Sequence, residues 1–133
     1  MYLASNAQNA MLEIANYAVS PRMANTLYRL VVFEFPATRL YETAPDELPP
    51  RWNERVHHSG VQQFGDRLLR QDDYEGFRVP TVALPTQISL HPRDTVRTTA
   101  NLNVVLHPPR IALDRVKILD SVTPVFSSAM FGG

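Results

Sequence analysis

The sequence contains no cysteine among its 133 residues. This absence excludes a disulfide scaffold, a zinc site built on thiolates and a cysteine nucleophile. A cytoplasmic protein, in which disulfides are rare, is the simplest expectation. Glycine is also scarce, with five residues against eleven prolines. That balance favours stiff turns and short strands over a helical bundle.

Neither sign of charge is in excess, because 13 Lys and Arg balance 13 Asp and Glu. The sequence has no basic block and no long apolar run, so we expect no direct nucleic-acid binding and no membrane span. Its start lacks the cationic and apolar segments of a signal peptide. An apolar content of 44% is sufficient for one core, and we expect a single domain over residues 1–133.

The first element is predicted to be a helix over residues 5–18, where apolar residues recur at helical spacing. Ser5 or Asn6 can cap its start, and Pro21 is expected just beyond its end. We expect the apolar stripe of this helix to pack on a sheet. Glu13 lies beside the stripe, so this side of the helix can line a cleft.

The clearest strand candidate is residues 27–35, which are rich in β-branched and aromatic side chains and end at a proline. Residues 77–84 also predict a strand, but Pro80 favours an edge or bulged position for it. The sum of the elements indicates a single α+β domain. The other expected elements are a short helix at 61–69, a polar loop at 86–99, and short strands at 39–41, 103–106, 115–120 and 122–126.

The established catalytic motifs are absent from the sequence. It contains no GxGxxG, P-loop, HExxH or GxSxG pattern. His57 and His58 are adjacent and cannot both face one metal ion, and the other two histidines stand alone, so we expect no metal site. On pattern alone, Glu13 is more often a solvated helix residue and Thr81 simply a strand former.

Six short segments, taken in order, resemble the RES-domain toxin family. The family carries a tyrosine before a helix bearing Ala-Leu-Leu-Glu, and then a strand that ends in proline. The resemblance runs from Tyr2 to about Pro108, and the order of the segments is more specific than any one of them. The matching segments are MYLAS with AMLE at 1–13, LVVFEFP at 30–36, LPPRW at 48–52, GDRLL at 65–69, FRVPT at 77–81 and NVVLHP at 103–108.

This resemblance implies an ADP-ribosyltransferase-like α+β fold, with mixed or antiparallel sheets and a few short helices. The family is named for an Arg, a Glu and a Ser. The Glu corresponds to Glu13 and the Ser to Thr81, which keeps the hydroxyl. The Arg belongs to a segment before Tyr2, so the resemblance also implies that the N-terminal part of the domain is missing here.

Members of the family break the bond between nicotinamide and ribose in NAD⁺, so NAD⁺ is expected as a substrate and not as a cofactor. The cleavage builds positive charge on the ribose, as in glycosidases. The resemblance implies that Glu13 stabilises this charge and that Thr81 hydrogen-bonds the nicotinamide or its ribose. Tyr2 would stack on the nicotinamide ring and Asn103 would contribute to NAD⁺ binding. Whether water, phosphate or a protein accepts the ADP-ribose stays open.

The resemblance further implies a toxin whose cognate antitoxin blocks the site, and a homo-oligomer is compatible with it. Arg51, Arg70 or Arg78 could replace the missing arginine as the diphosphate ligand. Two alternatives remain: a truncated, inactive remnant that retains only a binding surface, and an interaction domain unrelated to NAD⁺. The NAD⁺ hypothesis requires that Glu13 and Thr81 converge on the same hollow.

Overall fold

The computed structural model describes residues 1–36, 39–54, 59–82 and 102–131. Its helices and strands confirm an α+β fold with mixed and antiparallel sheets. The helices are α1 (Ala7–Tyr17), α2 (Pro21–Leu27) and α3 (Ser59–Leu69). The strands are β1 (Tyr2–Ala4), β2 (Leu30–Glu34), β3 (Leu40–Glu42), β4 (Gly76–Pro80), β5 (Leu102–Leu106) and β6 (Lys117–Val122).

A four-stranded sheet forms the centre of the domain, in the order β1-β5-β4-β3. β5 pairs antiparallel with both β1 and β4, whereas β4 pairs in parallel with β3. Val105 of β5 lies opposite both Tyr2 and Phe77, so the three side chains share one face of the sheet. Helix α3 packs on this face through Phe64 and Leu68.

β4 does not lie where the sequence predicted it in the sheet. Pro80 suggested an edge or a bulge, but β4 is an inner strand between β5 and β3. The proline is tolerated because it is the last residue of the strand, and β3 pairs with β4 only as far as Arg78. The predicted extension to residue 84 is not a strand at residues 81 and 82, and residues 83–84 lie outside the described ranges.

The start of the first helix confirms one of its two predicted caps, and its end is followed by a helix that was not predicted. Asn6 caps α1, its Oδ1 accepting the Asn9 N–H at 2.8 Å, while the Ser5 hydroxyl accepts the Leu102 N–H at 3.0 Å. Pro21 lies just beyond the end of α1, as expected, and it also begins α2, which Ser20 caps. Proline suits the first turn of a helix because the N–H it lacks has no partner there. None of the described helices is long and apolar enough to cross a bilayer.

The apolar stripe of α1 does not pack on a sheet, which corrects a second expectation. Met11 and Ile14 pack instead against a cluster formed by Ala18, Ala24 and Phe126. That cluster unites the end of α1, helix α2 and the C-terminal segment. The apolar stripe of α1 was expected to pack on a sheet, but it packs in part on α2, a helix that was not predicted.

The polar side of α1 is the side that meets the four-stranded sheet. Asn9 and Glu13, one helical turn apart, are the buried residues of the helix. Both bond to Asn103 of β5. The helix is therefore held against the sheet by hydrogen bonds between buried polar groups.

The strands β2 and β6 form a separate antiparallel sheet. The strand predicted at residues 27–35 is shorter, because Leu27 belongs to α2. The strand predicted at 115–120 corresponds to β6, which continues to Val122, whereas the strand predicted at 122–126 is wrong, because residues 123–126 are not a strand. The predictions at 39–41, 61–69 and 103–106 correspond to β3, α3 and β5 with small shifts in their ends.

Candidate active site

The Glu13 side chain lies at the centre of a buried polar cluster. The residue is only 6% exposed. Its Oε1 accepts hydrogen bonds from the Thr81 hydroxyl and from the Asn103 amide, each at 2.7 Å. The ion pairs formed within the described ranges do not include Glu13. Two neutral donors therefore hold a buried carboxylate, and donors of this kind bond most strongly to its charged form.

The fold explains how residues far apart in the chain meet at this point. β4 and β5 are antiparallel, and Pro80 at the end of β4 lies opposite Leu102 at the start of β5. Asn103 pairs with Val79, two residues before Thr81, so Thr81 and Asn103 lie near each other at this end of the two strands. Helix α1 then delivers Glu13, which is 68 positions from Thr81 and 90 from Asn103 along the chain.

Asn9 is a member of the cluster that the sequence analysis missed. It is 1% exposed, and its Nδ2 donates to Asn103 Oδ1 at 2.9 Å and to the Leu102 carbonyl at 3.1 Å. The signal in the sequence was its position four residues before Glu13, which places both side chains on one face of a helix. An asparagine at that spacing is too common to identify a site without the fold.

Tyr2 approaches the same cluster from β1. As a whole the residue is 56% exposed, but its hydroxyl interacts with both Glu13 and Asn103. Burial of the hydroxyl raises the pKa of Tyr2, and the negative charge of Glu13 raises it further. The phenol is therefore protonated at neutral pH, with its hydroxyl close to the carboxylate.

Two cavities lie against this cluster. The smaller, of about 280 Å³, is lined by Tyr2 and Asn103 together with aromatic side chains that include Trp52 and Phe77. The larger, of about 630 Å³, is lined by Tyr2 and Glu13, by the apolar side of α1 and by β2. Because Tyr2 lines both cavities, the polar cluster around Glu13 lies where the two cavities adjoin.

The structure brings Glu13 and Thr81 into direct contact, but it does not open both into one hollow. Thr81 is 0% exposed and lines neither of these cavities. Its hydroxyl reaches the carboxylate from behind the cavity wall. Of the four site residues predicted from the sequence, three line at least one of the two cavities: Tyr2, Glu13 and Asn103. The fourth, Thr81, lines neither and donates a hydrogen bond to Glu13.

Two of the three arginines considered from the sequence as diphosphate ligands form ion pairs elsewhere. Arg78 pairs with Glu42 at 2.9 Å, and Arg51 pairs with Glu54 at 2.7 Å. Neither these two nor Arg70 lines either cavity. Their positions give no support to a role beside Glu13.

Arg29, which the sequence analysis did not single out, lines the larger cavity. Its guanidinium donates to the hydroxyl and carbonyl of Ser121 at 3.0 and 2.9 Å, and to the Thr123 hydroxyl at 3.3 Å. A guanidinium carries five N–H donors, and these three bonds fix its plane. Arg29 is therefore a positioned cation in the cavity that Glu13 also lines.

No group of three or more histidine, aspartate and glutamate side chains within the described ranges is arranged to hold a metal ion. His57 and His58, and the polar loop predicted at residues 86–99, lie outside those ranges. His107 is described, and its buried Nδ1 has no hydrogen-bond partner among the described residues.

Comparison with known proteins gives one match. A sequence model of the family described as "RES domain" matches residues 1–125. The match covers nearly the whole chain, and it extends beyond residue 108, where the motif resemblance ended. No curated protein and no solved structure matches significantly.

Proposed function

Because this chain belongs to the RES domain family, we propose that it binds NAD⁺ and cleaves the bond between nicotinamide and ribose. The observation that carries the proposal is the geometry of Glu13. Its carboxylate is fixed at 2.7 Å by both Thr81 and Asn103, against the wall of a cavity large enough for a ligand. A fixed negative charge beside a cavity is suited to a reaction in which a sugar becomes cationic.

In the proposed reaction, the electrons of the broken bond leave with nicotinamide, and the ribose carbon becomes positive. Glu13 stabilises that charge and orients the ring by accepting a hydrogen bond from a ribose hydroxyl. Thr81 and Asn103 both occupy Oε1, so Oε2 is the oxygen left for Tyr2 or for the ribose. A preorganised group of this kind lowers a barrier by roughly 3–4 kcal/mol.

The burial of Thr81 changes the role that the family resemblance implied for it. A buried residue that lines neither cavity does not reach nicotinamide without rearrangement. We therefore assign Thr81 to holding Glu13, and we leave contact with the substrate to Tyr2 and Asn103. Both of these line the smaller cavity, whose aromatic walls suit a flat pyridinium ring.

The larger cavity suits the rest of the dinucleotide. It adjoins the smaller cavity at Tyr2 and contains Arg29. Planar guanidinium groups bind phosphate oxygens in a bidentate manner. We propose that Arg29 contacts the diphosphate and that the apolar walls from α1 and β2 receive the adenosine end.

The test is to incubate the purified protein with NAD⁺ and to measure free nicotinamide by chromatography. Wild type should release it, and Glu13→Gln should release it about 100-fold more slowly, the effect of losing one preorganised group. The matched control is Glu34→Gln, because Glu34 is an exposed glutamate paired with Lys117. Equal rates for wild type and Glu13→Gln would remove Glu13 from the mechanism.

The same assay identifies the acceptor. Free ADP-ribose indicates water, its phosphorylated form indicates phosphate, and label retained on protein indicates a protein acceptor. The proposed biological role is that of a toxin restrained by a cognate antitoxin. In that case, induced expression of wild type, but not of Glu13→Gln, should deplete cellular NAD⁺ and stop growth.

A second candidate is a domain that retains only a binding surface. It is favoured by the 6% exposure of Glu13, since a carboxylate so deeply buried has little room to meet a substrate. Calorimetry distinguishes the two candidates. Heat of NAD⁺ binding without any release of nicotinamide would support this second function over the first.

A further inference from the structure

A directed chain of hydrogen bonds runs from Asn9 through Asn103 to Glu13. Asn9 Nδ2 donates to Asn103 Oδ1 at 2.9 Å, and Asn103 Nδ2 donates to Glu13 Oε1 at 2.7 Å. A side-chain amide donates at one end and accepts at the other. Fixing the oxygen end of Asn103 therefore also fixes where its donor points.

The second bond of Asn9 makes its own orientation unambiguous. Its Nδ2 also donates to the Leu102 carbonyl at 3.1 Å, which can only accept. Exchanging the nitrogen and oxygen of Asn9 would place oxygen against oxygen at this carbonyl. The direction of the whole chain is thus set by a backbone group, which cannot rotate.

Packing alone does not account for asparagine at this position. Asn9 is 1% exposed, and its Oδ1 has no hydrogen-bond partner among the described residues. A buried acceptor without a partner is a cost that an apolar side chain of similar size would avoid. The two donated bonds are what asparagine provides here and leucine would not.

We propose that Asn9 is a positioning residue, which acts through Asn103 to hold the Glu13 carboxylate in place. Without Asn9, the Asn103 amide can reverse and present its oxygen to Oε1. Two acceptors would then be in contact, and the carboxylate would lose one of its two neutral donors. The catalytic consequence rests on the proposed function, whereas the orientation of the amide does not.

The test uses Asn9→Asp, which keeps the size of the side chain and removes both donors. The new carboxylate accepts where the asparagine donated, so the Asn103 amide should turn its NH₂ group towards position 9. In nuclear Overhauser spectra, the Asn103 amide protons should then lose their contacts with the Glu13 Hγ protons and gain contacts with the Hβ protons of position 9. Their unchanged proximity to Glu13 would overturn the proposal.

Kinetics provide the second readout. A residue that supports a reacting group should change kcat for NAD⁺ by about 10- to 100-fold, with KM changed by no more than about twofold because substrate contacts are retained. A purely structural residue would instead lower the fraction of folded protein. A kcat equal to that of wild type would contradict the positioning role.

The matched control is Asn25→Asp on α2. Asn25 also donates its amide to a backbone carbonyl, that of Phe126 at 3.1 Å, but it has no bond to Asn103. This variant should lose stability without moving the Asn103 amide. If Asn9→Asp does not fold, Asn9→Ala decides the question by the same spectra, and retained contacts between the Asn103 amide and Glu13 would again overturn the proposal. If wild type releases no nicotinamide, the proposed function fails while the spectra still judge Asn9.

Discussion

At the scale of single residues, the Glu13 carboxylate depends on donors that carry no charge. Thr81 provides a hydroxyl at 2.7 Å, and it is as buried as any residue in the described ranges. The hydroxyl and the carboxylate were each identifiable in the sequence as candidates. Their convergence was expected only from the family resemblance, because it depends on the pairing of β4 with β5 and on the position of a helix.

Replacing Thr81 by valine tests that contact. Valine keeps the shape of threonine and removes the hydroxyl, so Oε1 of Glu13 loses one of its two donors. We expect the free energy of unfolding to fall by about 1–3 kcal/mol, the cost of a buried acceptor left without its partner. Thr81→Ser keeps the hydroxyl, so its free energy of unfolding should fall less than that of Thr81→Val. Urea denaturation checks both, and a serine variant no more stable than the valine variant would show that the lost methyl group matters more than the bond.

The hydroxyl of Tyr2 makes stability depend on pH in the alkaline range. Burial and the charge of Glu13 raise the pKa of Tyr2 above its ordinary value of 10.0. At a pH between 10.0 and the raised pKa, the folded chain retains the Tyr2 proton, which the unfolded chain has lost. Stability from Tyr2 is therefore complete below pH 10 and decreases as the pH rises further.

Tyr2→Phe should remove this loss of stability above pH 10. The measurement is urea denaturation of both proteins at a series of pH values from 8 upwards. The pKa of Tyr41 is also raised, to about 12, mainly by its hydrogen bond to Glu47. Tyr41 therefore adds the same pH dependence to the stability of both proteins, and this contribution cancels when they are compared. Parallel curves for the two proteins would mean that the Tyr2 hydroxyl is not held by the cluster.

At the scale of elements, the errors of the sequence analysis have a common cause. Pro21 lies beyond the end of α1, as expected, but it also begins a helix that was not predicted, and Pro80, taken as a sign of an edge strand, closes an inner strand. Whether a proline ends an element or is tolerated in it depends on whether a carbonyl group would otherwise accept a hydrogen bond from the N–H that proline lacks. The fold decides which carbonyl groups lie near the proline. The strands with strong β-branched runs were predictable because their signal is local.

The first residue of β4, Gly76, has no room for a side chain. A Cβ at Gly76 would collide with the Val105 carbonyl of the paired strand. Gly76→Ala must therefore separate β4 from β5, and we expect it to lower the free energy of unfolding by about 1–3 kcal/mol, as overpacking does.

Gly60→Ala in α3 is the matched control, because no described atom lies within 4 Å of the place its Cβ would take. There alanine should raise stability by up to about 1 kcal/mol through its better helix propensity. Thermal unfolding measures both changes. A Gly76→Ala variant as stable as wild type would mean that the two strands approach less closely than the structure indicates.

At the scale of the whole molecule, the cluster joins segments that are about a hundred residues apart in the chain. β1, at residues 2–4, pairs with β5, at residues 102–106, and each contributes one residue to the site. The α+β class followed from local patterns, and the family from the order of short segments. The packing of α1 could not be predicted, because its apolar partners are a helix that the local pattern did not reveal and Phe126, which lies more than one hundred residues away.

If the two cavities bind NAD⁺, the ligand should stabilise the entire fold by mass action. At a concentration of 100 times Kd, the free energy of unfolding should rise by about 2.7 kcal/mol. Glu13→Gln is the appropriate protein for this measurement, because it leaves the cavity in place and does not consume the ligand. Its melting temperature should rise by several degrees with NAD⁺ and less with nicotinamide alone, which fills only the smaller cavity. In wild type the same shift should decay as nicotinamide is released, and an unchanged melting temperature for both proteins at millimolar NAD⁺ would remove NAD⁺ as the ligand.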